Sequence, residues 1–296
     1  MSNKRFAGIM PAMITPFDEN GALKVESARR VMERSLDRGV NGFYVNGATG
    51  EGLFLSEGTR REMAEVAVET AKGRGVVIDH VGAVDALSAI RLARHAASVG
   101  CDAISSLVPN YITSYADDQV LDYYKRLSDA SGLPVLVYCT GLLTGDPYEF
   151  MKKAMTVDGV IGLKYTMFNY YNMHRISELN GGDINVINGP DEMLICGLTM
   201  GADGGIGSTY NLMPEWFASL YRSFRAGDFD AARETQFRIN RVIEVLLRYG
   251  NIAAIKEVLT AMGYDAGYAA YPGKRFSSEE RASLLRDMKD AGYPLE

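Results

Sequence analysis

Side chains that build metal centres and disulfide frameworks are scarce here, with three cysteines and three histidines in 296 residues. Cys101, Cys139 and Cys196 lie far apart and are odd in number, so they offer neither a disulfide framework nor a ligand spacing. His80, His95 and His174 share no metal spacing either and are expected to be structural or solvent-facing. An excess of positive charge is missing too. Lys and Arg number 31 against 37 Asp and Glu, a net charge of -6, which argues against a nucleic-acid surface. No apolar run approaches the ~20 residues of a membrane span. Met1-Ser2-Asn3-Lys4-Arg5 leads straight into a strand-like segment, without the apolar core of a secretory signal. A reduced, cytoplasmic protein is the expectation. Pro/Ser-rich linkers, internal repeats and low-complexity segments are absent as well, so no separately folding second domain is expected.

What is present is an alternation of short apolar runs with longer amphipathic stretches, the pattern of βα units in a parallel sheet. Strands are expected at Gly8–Ile14, Gly42–Asn46, Val76–His80, Ala103–Leu107, Pro134–Tyr138, Val160–Lys164, Asn185–Asn188 and Gly204–Gly207. Helical patterns follow them. Ser56–Ala71 has Ser56 as N-cap, and Asp85–Ala97 has Asp85 as cap and Gly100 as stop. Asp117–Ala130, Tyr148–Met155, Tyr170–Asn180, Asp191–Met200 and Pro214–Phe224 continue the series. Eight units in roughly 225 residues match the size of a (β/α)8 TIM barrel. A doubly wound sheet is disfavoured, because the first strand leads into Met13-Ile14-Thr15-Pro16-Phe17 and not a Gly-rich phosphate turn. The barrel is expected over residues 1–226. Residues 227–296 are expected to form a C-terminal helical appendage packed on it, with helices at Asp228–Arg248, Ala253–Met262 and Ser277–Ala291.

In such a barrel, reactive groups sit where strands end. The run Val160-Ile161-Gly162-Leu163-Lys164 puts a lysine at the end of a buried strand. Stripping water from its ammonium favours the neutral amine, which attacks a ketone to form a Schiff base. Alone, a strand-end lysine more often snorkels to solvent. Other strand ends supply a context. Asn46-Gly47-Ala48-Thr49-Gly50-Glu51-Gly52 is a glycine-rich turn, by default an ordinary tight βα connection; alternatively its N–H groups form an anion-binding concavity that, with Thr49, would suit a carboxylate. Glu51 is expected to be structural. Tyr138 is either a half-buried packing residue or a proton shuttle. Tyr111, after Pro109-Asn110, carries the same two readings or makes a subunit contact. Asp191 and Glu192 are either favourable acids at a helix start or acceptors for sugar-like hydroxyls. Ser208 either serves those hydroxyls or caps the next helix.

In combination, Gly47-Ala48-Thr49-Gly50-Glu51, Tyr138, Gly162-Leu163-Lys164 and Gly201-Ala202-Asp203-Gly204-Gly205-Ile206-Gly207-Ser208-Thr209-Tyr210-Asn211 resemble the N-acetylneuraminate lyase and dihydrodipicolinate synthase family of pyruvate-handling barrels. The likeness runs from Phe6 to the final helices. The last block and Asn188-Gly189-Pro190-Asp191-Glu192 look most like the lyase branch. The resemblance implies a class I aldolase. Lys164 would form the Schiff base, Ala48, Thr49 and the turn amides would meet the carboxylate, and Tyr138 would move the proton as the carbon–carbon bond breaks. Thr166, Gly189, Asp191, Glu192 and Ser208 would orient a polyhydroxylated chain. Tyr111 matches the tyrosine that the family inserts into a neighbouring subunit's site, implying a homotetramer. The substrates implied are pyruvate and a sialic acid, with no metal or organic cofactor.

Two departures from the family pattern stand out. Ala48 replaces the usual Ser or Thr, whose hydroxyl links the two tyrosines in a proton relay. After Tyr138 the chain reads Cys139-Thr140-Gly141-Leu142-Leu143-Thr144-Gly145, without the arginine that clamps an amino-acid carboxylate in the synthase branch. Cys139 stands where the lyases tend to have asparagine, for which the sequence offers no reason. Three readings stay open: cleavage of N-acetylneuraminate, another pyruvate-dependent aldolase or dehydratase acting on 2-keto-3-deoxy sugar acids, and a non-catalytic sugar-acid-binding paralogue.

Overall fold

A computed structural model describes residues 2–295. Eight parallel strands follow one another around a barrel: β1 (Gly8–Pro11), β2 (Gly42–Val45), β3 (Val76–His80), β4 (Ala103–Leu107), β5 (Val135–Cys139), β6 (Val160–Tyr165), β7 (Asn185–Asn188) and β8 (Gly204–Gly207). β1 pairs with β8, and the wall closes between β1 and β2 through an Ala12–Tyr44 bridge. There the Met13 N–H donates to Tyr44 O, 2.8 Å away. The first strand is shorter than Gly8–Ile14: the ladder to β8 ends with the Ala12 N–H on Gly207 O, and beyond it the Ile14 N–H goes to the Asn211 side chain and not to a strand.

Two buried layers follow from the period-2 alternation of the strands. One face packs outward under the helices, where Ile9, Phe43, Val45, Val77, Ile104, Val137, Leu163 and Val186 join the larger core. The other fills the barrel with Met10, Tyr44, Ile78, Leu136, Tyr138, Ile187 and Ile206. Barrel interiors are packed in this way and are not pores. Lys164 shares this parity, which sends an amine into a largely apolar filling that also holds His80 and Ser105.

The outer ring is α1 (Val25–Asp37), α2 (Glu57–Ala71), α3 (Ala86–Val99), α4 (Asp117–Ser131), α5 (Pro147–Ala154), α6 (Tyr170–Ser177), α7 (Leu194–Thr199) and α8 (Pro214–Arg225). Ser56 and Asp85 cap α2 and α3 as expected, accepting from the N–H of Thr59 and Ser88. Gly100 ends α3 in the left-handed conformation, which costs glycine little. Two helices are shorter than their periodicity suggests. α6 stops at Ser177, because Asn180 and Gly181 are left-handed. The stretch Asp191–Met200 divides into a 3-10 turn, Asp191–Met193, and α7. Beyond the barrel lie α9 (Phe229–Tyr249), α10 (Asn251–Ala261) and α11 (Ser278–Asp290). α9 packs along α8 and reaches the Asp191 turn. α11 starts with a capping box between Ser277 and Glu280.

Candidate active site

Lys164 is 4% exposed and held between two aromatic rings. Its Nζ lies 4.2 Å from the Tyr138 ring centre and 4.4 Å from that of Tyr44. The rings meet edge to face with centres 6.1 Å apart. Among the described residues, no carboxylate or hydrogen-bond acceptor pairs with this amine. Strand register explains the neighbours, since Tyr138, Lys164 and Ile187 sit side by side on β5, β6 and β7. The Tyr138 hydroxyl bonds to no described residue, so it remains available to a ligand.

Tyr44 was not singled out from the sequence. It alternates with Phe43 and Val45, which pack outward, and so takes the inward face of β2; reading whole inward faces and not only strand ends finds it. Its hydroxyl donates to Ser105 Oγ at 3.2 Å, and burial pushes its pKa well up, so it stays a neutral phenol. His80 packs against both rings, with centres 6.2 Å from Tyr44 and 5.9 Å from Tyr138. The Leu107 N–H donates to His80 Nε2, which leaves the proton on Nδ1 facing Asn46 O. Burial pulls its pKa down to about 3. His80 is thus a neutral structural residue, the first of the two roles expected for it.

The strand-2 turn leaves several of its backbone donors unpaired among the described residues. The N–H groups of Glu51 and Gly52 close the turn on Ala48 O and Gly47 O. Those of Ala48, Thr49 and Gly50 donate to no described acceptor, and successive free N–H groups in a turn are the kind of donor set that can receive an anion. Thr49 is buried and Ala48 is exposed. Glu51 points away from this concavity into an ion pair with Lys256, which supports its structural role.

Thr166, Gly189, Asp191, Glu192 and Ser208 line one cleft of about 220 Å³. Thr166 is two residues past Lys164, and its N–H still pairs with Cys139 O. Strand parity places Thr166 on the same side as Lys164, about 7 Å further along the chain. Two glycines make the room. A Cβ on Gly189 would stand 1.9 Å from Thr166 Oγ1, and one on Gly207 would stand 1.9 Å from Asp191 Oδ1. Asp191 Oδ2 accepts from the Thr209 N–H at 2.7 Å, from Thr209 Oγ1 at 2.6 Å and from Ser208 Oγ at 3.3 Å. Its Oδ1 takes no donor among the described residues. Burial raises the Asp191 pKa to about 6, against the pull of the Thr209 hydrogen bonds.

The appendage completes this cleft, which sequence reasoning missed. Ile243, Leu247 and Asn251 form part of the wall. Asn251 Nδ2 donates to Ser208 Oγ at 3.3 Å. Gln236 Nε2 holds Asp191 O at 3.1 Å, and Asn240 Nδ2 holds Glu192 O at 3.1 Å. Thr166 Oγ1 and Asn251 Oδ1 are buried without a protein partner. Each such atom costs about 1–3 kcal/mol, so both await a bonding partner.

Tyr111 is half-buried against the barrel interior of its own chain. Its hydroxyl is buried without a partner, and burial pushes its pKa up to about 12. Cys139 is buried with its thiol 3.6 Å from Met167 Sδ, and nothing in the structure explains why it replaces asparagine. A larger cavity, about 590 Å³, lies outside the barrel by α3 and α4 and contains none of these residues.

A sequence profile of the Dihydrodipicolinate synthetase family matches residues 5–291. The chain is 36% identical over 262 residues to the N-acetylneuraminate lyase of Citrobacter koseri, covering 88% of each. Among solved structures it resembles the Proteus mirabilis N-acetylneuraminate lyase with a TM-score of 0.92, 28% identity and 98% and 99% of the two chains covered. A catalytic lysine mutant of the Ruminococcus gnavus sialic acid aldolase superposes with a TM-score of 0.90 at 27% identity, with 97% of each chain covered.

Proposed function

From the chain's membership of the dihydrodipicolinate synthetase family, we propose that it is a class I aldolase cleaving N-acetylneuraminate reversibly to N-acetylmannosamine and pyruvate. The observation that carries this reading is the continuity of the site. A buried lysine stands between two tyrosine rings, and Thr166, two residues further along the chain, lines a cleft with Asp191, Glu192 and Ser208, which supports reading the two as parts of one site.

The Lys164 amine attacks the C2 ketone, and loss of water gives an iminium. The free N–H groups of Ala48, Thr49 and Gly50, with the Thr49 hydroxyl, hold the C1 carboxylate. The Tyr138 hydroxyl gives its proton to the C1 carboxylate and takes that of the C4 hydroxyl as the C3–C4 bond breaks and the bond's electron pair moves onto the iminium, giving an enamine. Protonation at C3 and hydrolysis then release pyruvate and free the amine. Thr166, Gly189, Asp191, Glu192 and Ser208 orient the polyol. An acceptor-rich cleft suits a chain of hydroxyl donors and disfavours an anionic second substrate. The missing arginine after Tyr138 points the same way.

We also read the active unit as a homotetramer, with Tyr111 near a subunit contact. Val84, Leu87, Ile112 and Tyr115 supply exposed apolar surface in that region. Three free thiols fit a reducing, cytoplasmic setting. No helix among the described residues is long and apolar enough to cross a membrane.

A substrate panel with pyruvate release coupled to NADH oxidation tests the assignment. Sialic acid is expected to turn over well above shorter 2-keto-3-deoxy sugar acids. The reverse order overturns the sialic acid reading and leaves the Schiff-base chemistry standing.

A further inference from the structure

We infer that Lys256, on α10 of the C-terminal appendage, is a positioning residue for the carboxylate-binding turn, so that pyruvate affinity depends on a contact made outside the barrel. This rests on the assignment of the Ala48–Gly50 amides to the substrate carboxylate.

Lys256 is 1% exposed, and all three donors of its ammonium are used. Nζ donates to Glu51 Oε1 at 2.7 Å, to Thr15 O at 2.8 Å and to Tyr268 O at 2.6 Å. The Phe17 ring lies 3.8 Å from it. The second Glu51 oxygen accepts the Ala270 N–H at 2.6 Å. Thr15 Oγ1 in turn donates to Gly50 O at 2.8 Å. One ammonium thus joins the loop after β1, the turn after β2 and the segment after α10.

The turn needs such a hold. Glu51 is left-handed, at φ 57 and ψ 27, a conformation that a glutamate keeps only when its surroundings fix it. Asn46, at the other end of the turn, is left-handed as well. Between them stand the three free N–H donors. A buried ion pair adds little net stability over an apolar pair of the same shape, but breaking it leaves an uncompensated buried charge. Its effect here is geometric: without the ammonium, Glu51 keeps only the Ala270 N–H and the amides lose their common direction. Loss of alignment of about 1 Å at a reacting site costs up to 10²-fold.

The groups that set the charge of this amine are Glu51, which favours the ammonium, and Arg275, which disfavours it. Burial outweighs Glu51 and pulls the pKa down to about 8. Deprotonation removes a donor and leaves Glu51 a buried carboxylate without its cation. The turn is therefore expected to loosen as pH rises through that value.

Kinetics in the condensation direction test the inference with Lys256→Met and Glu51→Gln. The KM for pyruvate is expected to rise about tenfold, while the KM for N-acetylmannosamine and kcat at saturating pyruvate change less than about twofold. A general loss of structure would move both KM values together, and an unchanged pyruvate KM would equally overturn the inference. A second measurement keeps native Lys256 and Glu51. In Lys164→Ala protein, which forms no imine, pyruvate binding followed by NMR is expected to weaken at least about threefold from about pH 7 to about pH 9. Flat binding across that range overturns the inference. If the wild-type chain neither turns over nor is trapped with pyruvate, the assignment of the site fails instead.

Discussion

Lys164 and Tyr138 are direct register partners on β6 and β5, with the amine 4.2 Å from the ring centre. This pairing separates two roles that one substitution can distinguish. Tyr138→Phe keeps the ring against the amine and removes only the hydroxyl. Trapping of pyruvate by borohydride is expected to persist, while cleavage falls about 10²–10⁴-fold, the usual size of a general acid–base contribution. Intact mass and pyruvate release measure the two. Unchanged turnover would remove the hydroxyl from the mechanism.

Tyr44 supplies the other face of the cage. Tyr44→Phe loses only the bond to Ser105, about 1 kcal/mol, and is expected to keep activity within a few-fold. Tyr44→Ala empties a fully buried site and is expected to cost about 3–5 kcal/mol. Denaturant unfolding of the two variants checks the difference. Equal losses would mean that the hydroxyl, and not the ring, is what matters.

Asp191 predicts a pH dependence. Its pKa in the folded protein is raised from 3.8 to about 6, so between those values the native state binds more protons than the unfolded chain. Stability from this group is therefore present below pH 3.8 and is lost as pH rises through 6. Asp191→Asn removes that slope, which unfolding at a series of pH values detects. Substrate binding runs the other way, because the carboxylate is the better acceptor. The KM for the sugar acid is expected to fall as pH rises through 6, and Asp191→Asn is expected to flatten it.

Ala48 stands on the turn where the family usually carries a hydroxyl, and the Tyr111 hydroxyl is left without a partner. Ala48→Ser is expected to hold or raise kcat. A marked loss would show that the proton route here is built without position 48.

Much of the barrel was legible because strand parity and strand ends are local properties. Lys164, Asp191 and Ser208 could be named from the strand ends, the turn around Thr49 from its glycines, and the role of Thr166 only from the family resemblance. Helix interruptions were not legible. The Asp191–Met200 stretch is helical in pattern, yet it begins as a 3-10 turn in which Asp191 faces inward to Thr209. The cleft wall was not legible either. Asn251 meets Ser208 from 43 residues away, and Lys256 meets Glu51 from 205, distances over which no sequence periodicity carries information. The inward parity of Tyr44, by contrast, is as local a property as that of Lys164.

Two lysines of this chain are almost fully buried, and only one should react. Lys256 has all three donors engaged, whereas Lys164 faces two rings and no described acceptor. Borohydride reduction in the presence of pyruvate, followed by intact mass and peptide mapping, is the most direct test. One reduced pyruvate adduct is expected on the peptide containing Lys164 and is lost in Lys164→Ala. No adduct, or an adduct on Lys256, would contradict the account.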